Sequence, residues 1–301
     1  GIMLHGPRGI GKATLAFKLA EQVFIQTGDE GGDRVVEQVA AGVHPNLFVL
    51  RRKLRDDGKA FHTRIRVEEV RQLIARMQQT RGRAGHRVCI VDAIDDCNAS
   101  SANALLKTLE EPPADTHFIL ISHRPGQVLP TIHSRCQAHS MRALTDAECT
   151  QAMASVAETA PDADSFAIRL ARGRPRRALE ALAVTENKDL QQLQNWLDAP
   201  DAGGDLVPLK LAEALTGAQK PLETGFAREI VLDWIAHEAV AAAENGIADR
   251  MRLASANALW EKSGALFSDA DTFNLDPRQT LITILDAIRR HARLVSERLS
   301  A

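Results

Sequence analysis

The chain has 301 residues, of which 45% are hydrophobic and 25% charged, a balance typical of a soluble globular protein with two or three domains. Its formal net charge of -2 excludes nucleic-acid binding through a positive field over the whole molecule. No run of about 20 apolar residues predicts a transmembrane helix. None of the four cysteines belongs to a C-x-x-C pair, which favours a reduced, cytoplasmic location.

Short apolar runs alternate with helical patterns in the first part of the chain and predict a parallel α/β sheet. The predicted strands are Ile2–His5, Asn46–Leu50, Arg87–Asp92 and His117–Ser122. The predicted helices among them are Ala13–Phe24, Arg66–Gln78 and Ser101–Leu109. Because the first strand begins at the second residue, we expect a further segment to precede it.

After about residue 142 the strand patterns stop and helical patterns take over. The predicted helices are Thr145–Ala157, Ala163–Arg172, a helix that starts at Arg176 after Pro175, Leu206–Thr216, Leu222–Glu244, Ala248–Leu266 and Pro277–Leu299. The Pro- and Gly-containing stretch Ala199–Gly204 is the clearest linker signal in the chain.

The first predicted strand leads into a phosphate-binding loop. Residues 6–12 match the first seven positions of the pattern G-x-x-x-x-G-K-[ST]. Gly6, Gly9 and Gly11 would let backbone N–H groups converge on a phosphate, and Lys12 would neutralise its charge. The eighth position holds Ala13 in place of the hydroxyl that ligates Mg²⁺. The loop therefore predicts a nucleotide-binding ancestry and leaves present binding of ATP or ADP open.

A second motif is also incomplete. Asp92 ends the third predicted strand, where a nucleotide hydrolase of this class has its metal-side carboxylate. The next residue in a working ATPase is usually the Glu that activates water, and here it is Ala93. Asp95 and Asp96 follow on a turn, and neither lies at the position of the missing Glu. These two losses predict a protein that keeps the architecture of an ATPase without the reaction.

The stretch that follows resembles the bacterial clamp-loader family of AAA+ proteins. The most specific matches are the run Asn103–Pro113 and the triplet Ser134-Arg135-Cys136, and the resemblance is close over the first 140 residues. Because it lacks this hydroxyl and this Glu, the chain resembles the delta-prime branch of the family more than the gamma/tau ATPase branch. The resemblance implies a P-loop (AAA+) α/β domain at 1–142, a helical lid at 143–200 and an all-α collar domain at 201–301.

The resemblance also implies site residues outside the loop. Arg135 corresponds to an arginine finger that acts in trans, since a guanidinium offers a planar fork of donors to the γ-phosphate of a neighbouring subunit. His123 takes the position of the first sensor, where the family usually has Asn, and Arg176 takes that of the second sensor at the start of a lid helix. The alternatives are a surface arginine for Arg135 and a solvated basic helix start for Arg176.

Two further features bear on metals and nucleic acid. Family members commonly carry a four-cysteine zinc module between the first helix and the second strand, but residues 28–46 contain no Cys and one His, His44. A single His does not hold zinc, so we predict no zinc site. The basic clusters at 51–55 and 81–83 lack interleaved aromatic residues, which favours solvated loops over nucleic-acid contacts.

The resemblance implies a function in DNA replication as part of DNA polymerase III. It implies one copy of the chain in a pentameric ring with gamma/tau and delta subunits, which opens the sliding clamp and closes it on primed DNA. The chain would be a rigid stator without intrinsic ATPase activity and without contact to a membrane. Two alternatives stay open: an active gamma/tau-like ATPase, and an AAA+ relic that serves as an adaptor outside replication.

Overall fold

The structure is a computed structural model that describes residues 1–54, 61–79, 83–154, 162, 165–184, 188–200, 204, 206–217, 219–245 and 249–299. The chain divides into two compact units, one of Gly1–Ala163 with Ala171–Arg177 and the other of Asp164–Leu170 with Ala178–Ala301. The three-domain division stays a prediction. Residues 201–203 of the predicted linker lie outside the described residues.

Within its described residues, the first unit contains one sheet of five parallel strands in the order β2-β3-β4-β1-β5. The strands are β1 (Ile2–His5), β2 (Leu47–Arg51), β3 (Arg87–Asp92), β4 (Thr116–Ser122) and β5 (Gln137–Ser140). The four predicted strands are confirmed to within one residue at each end. The sequence analysis did not predict β5, whose side chains are exposed and which carries no apolar run.

The first unit also contains α-helices. They are α1 (Lys12–Thr27), α2 (Gly32–Ala40), α3 (Val67–Gln78), α4 (Ala99–Glu110), α5 (Pro130–His133) and α6 (Asp146–Ala154). Short 3₁₀ turns occupy Ile94–Asp96 and Pro125–Gln127. The sequence analysis did not predict α2, which buries Val35 and Val39 with the face of the sheet that α1 covers.

The buried strands are apolar on both faces. In β3, Cys89 and Val91 join the core that contains α3 and α4, whereas Val88 and Ile90 join the core that contains α1 and α2. Burial raises the pKa of the Cys89 thiol to about 12, so this cysteine behaves as a small apolar residue, as predicted. Two apolar layers therefore cover the faces of the sheet. Because its strands are parallel, their carboxyl ends lie at one edge, where ligands bind in open α/β sheets.

The described part of the second unit is helical. Its helices, the first two of which extend into the residues of the first unit, are α7 (Phe166–Ala171), α8 (Pro175–Leu182), α9 (Lys188–Asp198), α10 (Val207–Leu215), α11 (Pro221–Glu244), α12 (Arg250–Phe273) and α13 (Pro277–Leu299). Their core includes Phe226, Val231, Ile235 and Leu285. Among the described residues, no helix combines the length and the apolar character that a membrane span requires.

A polar cluster links the three longest helices of the second unit. Arg252 of α12 donates from Nε (3.1 Å) and Nη2 (2.8 Å) to Oε2 of Glu238 in α11. The buried ring of His291 in α13 contacts the hydroxyl of Ser255 at 2.8 Å. His291, whose Nε2 lies 3.5 Å from Glu238 Oε2, and then the hydrogen bonds from Arg252 hold the pKa of Glu238 below its ordinary value. The cluster thus compensates for the burial of charge among the three helices.

Candidate nucleotide loop and arginine site

The loop between β1 and α1 has the backbone conformation that its glycines predict. Gly6, Gly9 and Gly11 have φ angles of 148°, 90° and 97°, which residues with a Cβ rarely adopt. A Cβ on Gly6 would also lie 2.0 Å from the carbonyl oxygen of Met141. The structure therefore places the predicted glycines in a tight strand-to-helix turn at the carboxyl edge of the sheet.

Lys12 begins α1 and is buried, with 3% of its surface exposed. Its ammonium donates to the carbonyl oxygen of Gly6 at 2.7 Å and to that of Pro7. Burial is the main cause that lowers the pKa of Lys12 to about 8, against the opposing effect of Asp95 and Asp92. The cation that would meet a phosphate is therefore held by the carbonyl groups of its own loop.

The carboxyl end of β3 carries Asp92, followed by Ala93, of which 2% is exposed. The structure gives a role to Asp95 that the sequence interpretation missed. Its carboxylate accepts hydrogen bonds from Ser122 Oγ (2.7 Å), from the backbone N–H of His123 and from that of Arg124 (3.4 Å). Asp95 therefore ties the end of β3 to the end of β4 beside the loop. The signal in the sequence was an Asp at the carboxyl edge of a strand that neighbours β4.

His123 follows β4 at the predicted sensor position. Its Nδ1 is buried and has no hydrogen-bond partner among the described atoms. Burial, and then the positive charge of Lys12, lower the pKa of its imidazole below the ordinary value, which favours the neutral ring. The residue thus presents an uncharged polar atom near Lys12.

The structure also brings Arg176 to the loop. Its backbone N–H donates to the carbonyl oxygen of Gly9 at 3.2 Å, and a Cβ on Gly9 would lie 3.6 Å from the Cβ of Arg176. Pro175 opens α8, so the helix start predicted at Arg176 is confirmed to within one residue. Gly6, Gly9, Gly11, Lys12, Asp92, His123 and Arg176 therefore belong to one edge of the first unit.

Arg135 lies in the turn after α5, and 33% of its side chain is exposed. Its Nη1 donates to the carbonyl oxygen of Thr131 (2.7 Å) and to Ser134 Oγ (3.2 Å). Its Nη2 forms an ion pair with Glu110, the last residue of α4. These contacts join Arg135 to α4 and α5, so the guanidinium is held at the surface of the first unit.

The region between α1 and β2 is held by an ion-pair cluster around Glu30. Its carboxylate, 9% exposed, contacts Arg83 and lies 3.3 Å from Arg34 Nε and 3.9 Å from His44 Nε2. The ring of His44 stacks on that of Phe24 with centroids 3.9 Å apart. Among the described residues, no three His, Cys, Asp or Glu side chains are grouped to hold a metal ion. The absence of zinc stays a prediction.

The two basic clusters are only partly described, since Arg55, Arg81 and Gly82 lie outside the described residues. Arg52 forms an ion pair with Asp96 at 3.0 Å, and Arg83 pairs with Glu30. The loop interpretation of both clusters stays a prediction.

Comparisons with known proteins find similarity mainly over the first 145 residues. Residues 1–145 match the family model described as "DNA polymerase III, delta subunit". The chain is 41% identical over 138 residues to DNA polymerase III subunit delta' of Pseudomonas aeruginosa, a match that covers 44% of this chain and 40% of the relative. It is 29% identical over 182 residues to subunit delta' of Escherichia coli, covering 59% and 53% respectively. The chain thus spans about half or less of the length of these relatives.

Two other proteins are similar over different extents. The subunit tau of DNA polymerase III from Salmonella typhimurium is 33% identical over 142 residues, which cover 47% of this chain and 21% of tau. A DNA polymerase III gamma subunit-related protein from Thermotoga maritima superimposes with a TM-score of 0.48 at 17% identity, covering 97% of this chain and 95% of that protein. Residues 1–145 are therefore similar to the family described as DNA polymerase III, delta subunit, and to the delta' subunits of the two relatives.

Proposed function

We propose that the chain is a delta-prime-like stator of the DNA polymerase III clamp loader, which does not hydrolyse ATP and presents Arg135 to ATP bound by a neighbouring subunit. The observation that carries the proposal is the methyl group of Ala93, almost fully buried beside Asp92. Hydrolysis needs a base that orients the attacking water. At this position the chain offers none.

The loop supports the same conclusion. Ala13 has no hydroxyl for Mg²⁺, and Lys12 already donates to the carbonyl oxygens of Gly6 and Pro7. To contact a bound nucleotide, Lys12 would have to break its hydrogen bonds to these carbonyl oxygens. The loop also lacks the hydroxyl contact with Mg²⁺ that usually adds to nucleotide binding. We therefore infer that ATP or ADP binds weakly and that the turnover of the assembly takes place in other subunits.

Arg135 is suited to act outside its own chain. A third of its side chain is exposed, and its contacts with α4 and α5 hold it on the surface. A guanidinium stabilises the charge that develops on a transferred phosphoryl group, because its planar donors match two phosphate oxygens. The proposed partners are gamma/tau and delta subunits, with the sliding clamp and primed DNA reached through the complex in the cytoplasm.

The test is Arg135→Ala in a complex reconstituted from this chain with gamma/tau and delta subunits, clamp and primed DNA. We expect hydrolysis at the adjoining ATP site to slow by roughly 10³-fold, the typical contribution of an arginine finger. Total turnover falls less, because other ATP sites in the ring continue. Arg135→Lys restores part of the rate, since an ammonium keeps the charge and loses the fork.

Arg142→Ala is the matched control, because it removes an exposed arginine of the same unit that pairs with Glu148. We expect this variant to match the unmodified chain in turnover and clamp loading. Equal turnover with Arg135→Ala would overturn the role of the finger, and failure to assemble with gamma/tau and delta would favour an adaptor outside replication.

A further inference from the structure

The Glu110–Arg135 ion pair leaves the guanidinium few donors for another anion. Nη1 has two hydrogens, and it donates to Thr131 and to Ser134. Nε is buried without a hydrogen-bond partner among the described atoms. Nη2 contacts Glu110, so one of its hydrogens remains. Bidentate recognition of a phosphate requires two parallel donors, and this arrangement does not offer them.

The position of Glu110 is electrostatically unfavourable apart from this contact. It is the last residue of α4, where the carbonyl ends of the helix carry partial negative charge. A carboxylate there is repelled by its own helix and gains from a nearby cation. Arg135 is that cation, and Glu110 takes the place that an anionic ligand of the guanidinium would occupy.

We propose that Glu110 is a positioning residue that pairs with Arg135 while the arginine binds no phosphate, an arrangement called here the reserve state. Arg135 leaves this carboxylate when it binds the phosphate of a neighbouring subunit. The inference rests on the proposed function of Arg135. Glu110 and a phosphate are both anions, so they compete for the same Nη2 group, and engagement exchanges one ion pair for another.

The exposure of the pair keeps this exchange easy. The side chains of Arg135 and Glu110 are 33% and 46% exposed, and exposed ion pairs contribute little to stability. The reserve state therefore lowers the availability of the finger by a factor of about five or less, the range set by exposed pairs. Such a weak contact positions the guanidinium near the surface and gives way to a doubly charged phosphate.

The experiment compares Glu110→Gln with Glu111→Gln in the reconstituted complex. Glu111 is the next residue, so the control removes the same charge from an adjacent position. The initial slope of ATP turnover against the concentration of this chain reports how readily the finger is released. We expect Glu110→Gln to raise this slope by about two- to fivefold and Glu111→Gln to leave it unchanged. An equal slope for the two variants, or a lower slope for Glu110→Gln, would overturn the inference.

A second measurement on the isolated chain tests the pair without any partner. Nitrogen-15 NMR of the arginine side chains reports whether rotation of the Arg135 guanidinium is restrained. Thr131 and Ser134 still hold Nη1 when Glu110 is replaced. We therefore expect the exchange between Nη1 and Nη2 to be faster in Glu110→Gln than in the unmodified chain and in Glu111→Gln, and an equal exchange rate in all three would contradict the reserve contact. Arg135→Ala separates the two proposals: if it abolishes stimulation while Glu110→Gln has no effect, only the reserve role fails. If Arg135→Ala has no effect, both fail.

Discussion

Asp95 shapes the site at the scale of a single residue. Its carboxylate accepts from Ser122 Oγ and from two backbone N–H groups after β4. Hydrogen bonds to a charged group contribute about 1.5–3 kcal/mol, so we expect Asp95→Ala to lower the free energy of unfolding of the first unit by about 2 kcal/mol or more. Urea unfolding, followed by hydrogen exchange of the β4 amides, measures the loss.

Asp96→Ala is the control for this prediction. Its carboxylate pairs with Arg52, and both side chains are partly exposed. Partly exposed pairs contribute about 1 kcal/mol or less, so we expect a small loss and unchanged exchange at the end of β4. Equal losses for Asp95→Ala and Asp96→Ala would show that Asp95 does not tie the two strands together.

The sequence predicted the backbone of the loop, but it did not predict the hydrogen bonds around the loop. Gly6, Gly9 and Gly11 were predictable because the left-handed backbone of such a turn excludes other side chains. The bonds of Asp95 were not, because they depend on the parallel register that places β3 beside β4. The contacts of Lys12 with its own loop were missed for a similar reason, since two carbonyl oxygens leave no pattern in the sequence.

At the scale of an element, the start of α6 depends on a capping box. The backbone N–H of Thr145 donates to Glu148 Oε2 (2.8 Å), and the N–H of Glu148 donates to Thr145 Oγ1 (3.3 Å). Arg142 donates to both carboxylate oxygens of Glu148, at 2.9 and 2.8 Å. The hydrogen bond with Arg142, followed by those with Thr145, lowers the pKa of Glu148 to about 2. The cap therefore relies on an ionised carboxylate.

This pKa predicts how α6 responds to acid. Because the folded pKa of Glu148 lies below its ordinary value of 4.5, its stabilising effect is complete above about pH 4.5 and is lost as the pH falls through about 2. Carbon-13 NMR of the carboxyl group should therefore show Glu148 ionised at about pH 3.5, where ordinary glutamates are mostly protonated. Arg142→Ala should move the titration up towards 4.5. A midpoint near 4.5 in both proteins would contradict the prediction.

One element that sequence patterns missed has no apolar signature. The exposed strand β5 pairs with β1 through its backbone, and its four side chains carry no alternation of apolar and polar residues. Helix α12 was predicted to end at Leu266, and it continues to Phe273 because Asn274, with a φ of 54°, closes it in the left-handed conformation. The long helices α11 and α13 were predictable from their apolar content and their starts at or one residue before the predicted position.

At the scale of the whole molecule, the charged groups that could meet phosphate lie on one unit in two separate settings. Lys12 is buried and held by its own loop, whereas Arg135 is at the surface and paired with Glu110. Replacing the buried group should therefore affect the molecule differently from replacing the exposed one. Comparing the effects of replacing Lys12 and Arg135 on ATP turnover therefore distinguishes a subunit that hydrolyses ATP from one that assists hydrolysis in a neighbouring subunit.

We expect Lys12→Met to leave the turnover of the reconstituted complex within about twofold of the unmodified value, because the proposed ATP sites belong to other subunits. Met keeps most of the aliphatic stem, and thermal unfolding monitored by circular dichroism controls for damage to the loop. The isolated chain, with or without the substitution, should show no ATP hydrolysis. If the isolated chain hydrolysed ATP and Lys12→Met abolished that activity, the loop would be a working ATPase site. Ala13 and Ala93 would then tolerate the reaction, so the stator role would give way to that of an active gamma/tau-like subunit.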